Sequence, residues 1–125
     1  MKKILLIEDD ENLRKLLFST LTPKNFDVHE AADGEEGIAK ILDIKPDLVL
    51  LDMLLPKLDG FHVLERLRTY PDSKIAKTHV IILSNLWSDK DILQAKALYV
   101  DEYYVKANTK IEEVVQKIIS ITNKN

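Results

Sequence analysis

Four apolar residues in a row, Leu48-Val49-Leu50-Leu51, lie between Asp47 and Asp52 and constrain the fold more than any other stretch of this chain. A short run with no polar position and acids at both ends reads as a strand buried on both faces. That environment belongs to the middle of a parallel sheet with helices on either side. Asp52 then sits at the carboxyl end of the strand, where open α/β sheets place their chemistry. After Met53, Leu54 and Leu55, Pro56 and the Asp59-Gly60 pair mark a turn. Alone, Asp52 is a polar stop at the end of a buried strand. The other strand ends decide whether it is more.

Taken in order, the chain supplies the partners this strand needs. Lys3 to Ile7 reads as a first strand that ends in Glu8-Asp9-Asp10. A helix follows, with Leu13, Leu16, Leu17 and Leu21 at helical spacing. Phe26 to Ala31 alternates, with Phe26 and Val28 on one side and Asp27 and His29 on the other, as an amphipathic edge strand does. Asp33 with Glu36 caps a second helix that carries Ile38, Ile41 and Leu42 and closes at Lys45-Pro46. Gly60 opens a third helix with Phe61, Leu64 and Leu67 inward, ended by a polar connection at Pro71-Asp72-Ser73. Val80 to Leu83 is a buried strand stopping at Ser84-Asn85. Ser88 with Asp91 caps a fourth helix containing Ile92, Ala95 and Leu98. Glu102 to Val105 is the last strand and runs into Lys106. Thr109 with Glu112 caps the final helix, with Ile111, Val114, Val115, Ile118 and Ile119 inward and a polar tail from Thr122 to Asn125.

Strand and helix thus alternate five times, which means a parallel sheet covered on both faces. The uniformly apolar first, third and fourth strands belong in the middle, and the mixed second and fifth at the edges. Right-handed crossovers then give the order 2-1-3-4-5. The expected fold class is α/β, a single doubly wound, flavodoxin-like (βα)5 domain over residues 1–125. Its direction reverses between strands one and three, the strands that end in Glu8-Asp9-Asp10 and Asp52. The acids meet at the switch point.

Composition narrows the function. With 46% hydrophobic residues the chain can build a core, and with no cysteine it has no disulfide, thiol chemistry or Cys-ligated zinc. The apolar segment after Met1-Lys2-Lys3 is too short for a signal peptide or a bilayer span, so a cytoplasmic location without membrane attachment is expected. A net charge of −3 and a pI near 5.6 lack the basic footprint of direct nucleic-acid binding.

One rim now carries Glu8-Asp9-Asp10, Asp52, Ser84 and Lys106. Carboxylates this close repel one another unless something compensates them. A divalent cation such as Mg²⁺ does so through oxygen ligands, keeping places for water or a phosphate. Lys106 adds a positive charge suited to a phosphoryl oxygen, and Ser84 a hydroxyl. Nucleophilic carboxylate, cations and hydroxyl together describe phosphoryl transfer onto Asp52 as an acyl phosphate. Singly, the acids could cap the first helix, and Ser84 and Lys106 could be solvated strand ends. His29, His62 and His79 have no ligand spacing, and Trp87, Tyr103 and Tyr104 read as packing residues.

These motifs together resemble the receiver domain of two-component response regulators over essentially the whole chain. Ile-Leu-Leu-Ile-Glu8-Asp9-Asp10 resembles its acidic opening, and Leu51-Asp52-Met53-Leu54-Leu55-Pro56-Lys57-Leu58-Asp59-Gly60 its phosphoacceptor signature. Val-Ile-Ile-Leu-Ser84 resembles its hydroxyl strand, and Tyr103-Tyr104-Val105-Lys106 its lysine strand. The resemblance implies Asp52 as phosphoacceptor, with Ser84 and Lys106 assisting. It implies Mg²⁺ (or Mn²⁺) on Glu8, Asp9, Asp52 and the Met53 carbonyl, and a switch made of Ser84 and Tyr103. A histidine kinase or phosphotransfer protein would supply the phosphoryl group in a phosphorelay. The face of the fourth helix, fifth strand and fifth helix would change for a downstream protein target. Such a domain catalyses its own phosphorylation and dephosphorylation without being a conventional turnover enzyme. It acts as a monomer or a phosphorylation-dependent dimer. With no linker after the last helix, a stand-alone, chemotaxis-type receiver is expected.

Several positions depart from the family pattern. Asn85 follows Ser84 where a small residue is usual, narrowing access to Asp52. Tyr99 stands where glycine commonly ends the fourth helix, so a left-handed turn there would be strained. Ala107 replaces the usual proline, and a trans Lys106–Ala107 peptide is expected. Leu54 and Leu86, flanking the path of a hydrolytic water, cannot hydrogen-bond one into line and should slow dephosphorylation. Three rival readings fare less well. A flavin protein needs a phosphate-cradling first loop, which Glu8-Asp9-Asp10 would repel. A phosphohydrolase wants a second Asp where Leu54 stands. A phosphorylation-independent interaction module leaves the set of acids, hydroxyl and lysine without a use.

Overall fold

Strands of continuous apolar residues and helices with one apolar face can satisfy each other only in layers, and the chain does this in three. The computed structural model describes residues 1–123. Its strands are β1 (Lys2–Ile7), β2 (Phe26–Ala31), β3 (Leu48–Leu51), β4 (His79–Ser84) and β5 (Glu102–Val105). All neighbours pair in parallel, in the order β2-β1-β3-β4-β5. The helices are α1 (Glu11–Leu21), α2 (Gly34–Ile44), α3 (Gly60–Arg68), α4 (Ser73–Ala76), α5 (Asp89–Lys96) and α6 (Ile111–Thr122). Two 3₁₀ turns, Thr22–Lys24 and Lys106–Asn108, complete the description.

Side chains alternate across the sheet with period two. Leu5, Ile7, Val49, Leu51, Val80 and Ile82 face one core with α2, α3 and α5. Ile4, Leu6, Leu48, Leu50, Ile81 and Leu83 face the other with α1 and α6. The Leu48–Leu51 strand is buried along its whole length, as its composition demands.

Four local expectations are corrected. The Pro71-Asp72-Ser73 connection folds into the short helix α4, because the Asp72 carboxylate caps the Lys74 N–H. The sixth helix begins one residue late: Lys110, not Thr109, is its N-cap, and Glu113, not Glu112, reaches back to it. The turn Lys106–Asn108 diverts the Thr109 hydroxyl to the Val105 carbonyl. Leu16 points outward and is half exposed, because Leu13, Leu17 and Leu21 hold the inward stripe of α1. Thr122, assigned to the polar tail, is buried in the last turn of α6; Lys124 and Asn125 lie outside the described residues.

Candidate phosphoryl-transfer site

The carboxyl edge of the sheet gathers the ends of β1, β3, β4 and β5, and with them the residues singled out in the sequence. Asp52 is 3% exposed and Glu8 4%, and Ser84 is fully buried. Asp9 is exposed beside them. One oxygen from each of Glu8, Asp9 and Asp52 lies within 4.8 Å of the other two. An all-oxygen set at this spacing suits a hard divalent cation. Asp10, the third acid of the run, turns away and caps α1, accepting the Asn12 and Leu13 N–H groups at 3.0 and 3.2 Å.

Lys106 reaches both buried acids. Its Nζ lies 2.8 Å from Asp52 Oδ2 and 2.9 Å from Glu8 Oε1. Burial opposes its charge, but the bonds to Asp52 and Glu8 outweigh this and raise its pKa. Glu8 shows the opposite balance. Burial, helped by the Asp52 charge, pushes its carboxyl up to about 7 despite Lys106 and the Asp10 N–H at 3.0 Å. Lys106 and the Asp10 N–H therefore compensate the Glu8 charge only in part. The donor set fits a divalent metal.

The loop after β3 is held in place from three directions. Asp52 Oδ1 accepts the Leu54 N–H at 3.0 Å, and the Met53 carbonyl accepts the Gly60 N–H at 3.0 Å. A Cβ on Gly60 would lie 2.5 Å from the Met53 Cα, so only glycine allows α3 to start there. Gly34, at the start of α2, is closer still: its Cβ would fall 1.8 Å from the Leu58 carbonyl oxygen. Sequence reading missed Gly34. A glycine directly after the Asp33 cap was the available signal, since a helix start does not need one.

On the β4 side, Ser84 Oγ accepts the Leu86 N–H at 3.2 Å, and the Leu86 carbonyl accepts the Tyr103 hydroxyl. Tyr103 packs against the core, and burial pushes its hydroxyl up to about 12. Asn85 Oδ1 takes the Ala107 N–H at 3.2 Å, and the Lys106–Ala107 peptide is trans. Leu54 is half exposed next to Asp52 and Leu86 half buried. Tyr104 packs as expected, but Trp87 does not. Leu86 takes the inward place, which leaves Trp87 66% exposed on a groove of about 660 Å³ that Ile92, Val105 and Asn108 also line. Tyr99 adopts φ 60°, the left-handed turn expected there. His62 and His79 pair with Asp59 and Asp101.

Comparison with known proteins agrees with this geometry. The model of the response regulator receiver domain matches residues 4–119. The DNA-binding dual master transcriptional regulator RpaA of Synechocystis is 36% identical over 94% of this chain and 48% of its own length. AfsQ1 of Streptomyces coelicolor, a transcriptional regulatory protein, is 36% identical over 85% of this chain and 45% of its own. The chain spans about half the length of these curated relatives. A two-component response regulator from Clostridium difficile superposes with a TM-score of 0.88 at 26% identity, covering 99% of this chain and 98% of that one. The receiver domain of the Francisella response regulator 1452 gives 0.87 at 26% identity, with coverage of 99% and 98%. No helix among the described residues is long and apolar enough to cross a membrane. Strand order, acidic cluster and family match converge, and the chain belongs to the response regulator receiver domains of two-component systems.

Proposed function

We propose that Asp52 is the phosphoacceptor of a magnesium-dependent switch covering residues 1–125. The observation that carries this reading is the Lys106 ammonium between two buried acids, 2.8 Å from Asp52 and 2.9 Å from Glu8. A carboxylate oxygen of Asp52 attacks the phosphorus of a phosphohistidine, on a histidine kinase or a phosphotransfer protein, or of a small phosphodonor. The bond from phosphorus to the donor breaks, and the donor leaves with the electron pair. Lys106, released from Asp52, neutralises a phosphoryl oxygen, and the Ser84 hydroxyl donates to another. Glu8, Asp9, Asp52 and the Met53 carbonyl would hold Mg²⁺ (or Mn²⁺), which supplies charge neutralisation when bound.

When Ser84 turns to the phosphoryl group it releases the Leu86 N–H. That residue's carbonyl holds the Tyr103 hydroxyl, so Ser84 and Tyr103 act as one switch. The face of α5, β5 and α6 responds. A local charge thus biases a two-state element. The groove beside Trp87 lies on that face, and a downstream protein is its target. With a net charge of −3, this domain acts through protein contacts, not by binding nucleic acid.

Incubation with Mg²⁺ and acetyl phosphate, followed by intact mass, tests the reading. Wild type gains one phosphate mass and Asp52→Asn gains none; chelator abolishes the gain. An unchanged gain in Asp52→Asn refutes the assignment.

The phosphorylated state is long-lived in this reading. Leu54, whose N–H donates to Asp52, and Leu86, whose N–H donates to Ser84, follow the two reacting side chains, and neither leucine can orient a hydrolytic water. A Leu54→Asn, Leu86→Glu double variant should lose its phosphate up to about 10-fold faster, part of the range for positioning a proton acceptor. Equal lifetimes would remove the leucines from timing.

A further inference from the structure

The β4–β5 ladder ends at the pair Ser84 and Val105. Beyond it the chain enters two separate loops, one behind Ser84 and one carrying Lys106. The Lys106 turn is three residues long, and its own bonds are sparse. The Thr109 N–H reaches the Lys106 carbonyl at 3.4 Å, and the Thr109 hydroxyl reaches the Val105 carbonyl at 2.8 Å. The Ala107 N–H has run past the strand carbonyls, and the Asn85 carboxamide oxygen meets it at 3.2 Å. A side chain thus extends the ladder by one bond beyond the backbone. The bond requires both partners: a shorter residue at 85 does not reach, and a proline at 107 has no N–H to offer. Asn85 and Ala107, two separate departures in the sequence, form one contact.

We propose that Asn85 is a positioning residue for phosphoryl transfer. By holding the Ala107 N–H, it couples the Ser84 strand end to the Lys106 turn and keeps the ammonium over Glu8 and Asp52. Lysine is a point charge on a flexible stem, so its average position depends on where its backbone is anchored. Displacements of a fraction of an ångström are enough to cost rate. The inference rests on Asp52 being the phosphoacceptor.

The test is a double-mutant cycle on the rate of phosphate incorporation from acetyl phosphate at saturating Mg²⁺. Asn85 is exposed, so Asn85→Ala folds and keeps the wild-type melting temperature. Its maximal rate should fall about 2- to 10-fold, the worth of one neutral hydrogen bond, with half-saturating acetyl phosphate unchanged. In the Ala107→Pro background the same substitution should slow the reaction no further, because the donor is already gone. A rate equal to wild type overturns the proposal. So does an equal slowing in both backgrounds, which would show Asn85 acting without Ala107. A wild type that gains no phosphate overturns the phosphoacceptor reading and this proposal together; a phosphorylated wild type with an equally fast Asn85→Ala overturns this proposal alone.

Discussion

The two edges of the sheet handle charge in opposite ways. At the amino edge the charges are met by backbone. Arg68 donates to the Leu98, Ala76, Thr78 and Tyr99 carbonyls at 2.6 to 3.0 Å, and so caps the ends of α4 and α5. Asp101 accepts the Val80 N–H at 2.9 Å and Asp47 the Lys3 N–H at 2.7 Å. At the carboxyl edge three acids crowd together, and Lys106 bridges the two buried ones. The same sheet therefore has one edge whose polar groups are satisfied and one whose charges are left in conflict. Satisfied groups stabilise and stay put; an uncompensated carboxylate is free to take a cation or a phosphoryl group. The carboxyl-edge acids Glu8 and Asp52 are also the deeper ones, whereas Arg68 and Asp47 are half-buried and Asp101 is exposed. The two ends therefore differ both in depth and in whether the charge has its partner within the chain.

The largest test of this contrast removes the bridge. Lys106→Ala should slow phosphate incorporation about 10²- to 10³-fold, the usual loss for one preorganised electrostatic group. A rate within a few-fold of wild type would place Lys106 outside the chemistry. At the other edge, Arg68→Met strands four carbonyls and should cost about 2–4 kcal/mol in denaturant unfolding, with the phosphorylation rate unchanged. A loss below roughly 0.5 kcal/mol would mean water replaces the guanidinium fully. Glu8→Gln should move stability the other way. The folded pKa of Glu8, about 7, lies above its ordinary value of 4.5. Its contribution is therefore complete below about pH 4.5 and is lost as pH rises through 7. Without divalent cation, wild type should lose about 1–3 kcal/mol across that window, and Glu8→Gln should not. Identical pH profiles would show that the acid edge is already relaxed. The smallest effect tests a strained point of the satisfied edge. Tyr99 is 82% exposed at φ 60°, so Tyr99→Gly relieves strain without removing packing. A gain of about 0.5–1 kcal/mol is expected, and a loss would show that the ring has contacts that matter.

Much of this was readable beforehand because it depends on periodicity. Continuous apolar runs at Ile4–Ile7, Leu48–Leu51 and Val80–Leu83 identify central strands, and from their position the rim of Glu8, Asp52, Ser84 and Lys106 follows. Caps were legible where a side chain answers a nearby N–H, as Asp33 does for Glu36 at 2.8 Å. Position failed where a distant group intervenes. The α6 cap slipped by one residue because the Lys106–Asn108 turn engaged Thr109, and Trp87 lost its place in the core to Leu86. Arg68 carries no local signal at all, since its four acceptors lie 8 to 31 residues away.

The sequence by itself determined the layer order, the burial of β3 and the side of the sheet on which the acids gather. These follow from hydrophobic alternation and chain connectivity, which are properties of neighbours along the chain. Only the tertiary structure decided which acids meet. Asp9 joined Glu8 and Asp52 while Asp10 capped α1, Lys106 bridged two acids 54 residues or more away in the chain, and Asn85 met Ala107. Such contacts depend on ångström-scale placement of side chains from separate strand ends, where Coulomb and hydrogen-bond energies change steeply with distance. A pattern of residue types records where a strand ends, and the folded chain settles which atoms come within 3 Å of each other.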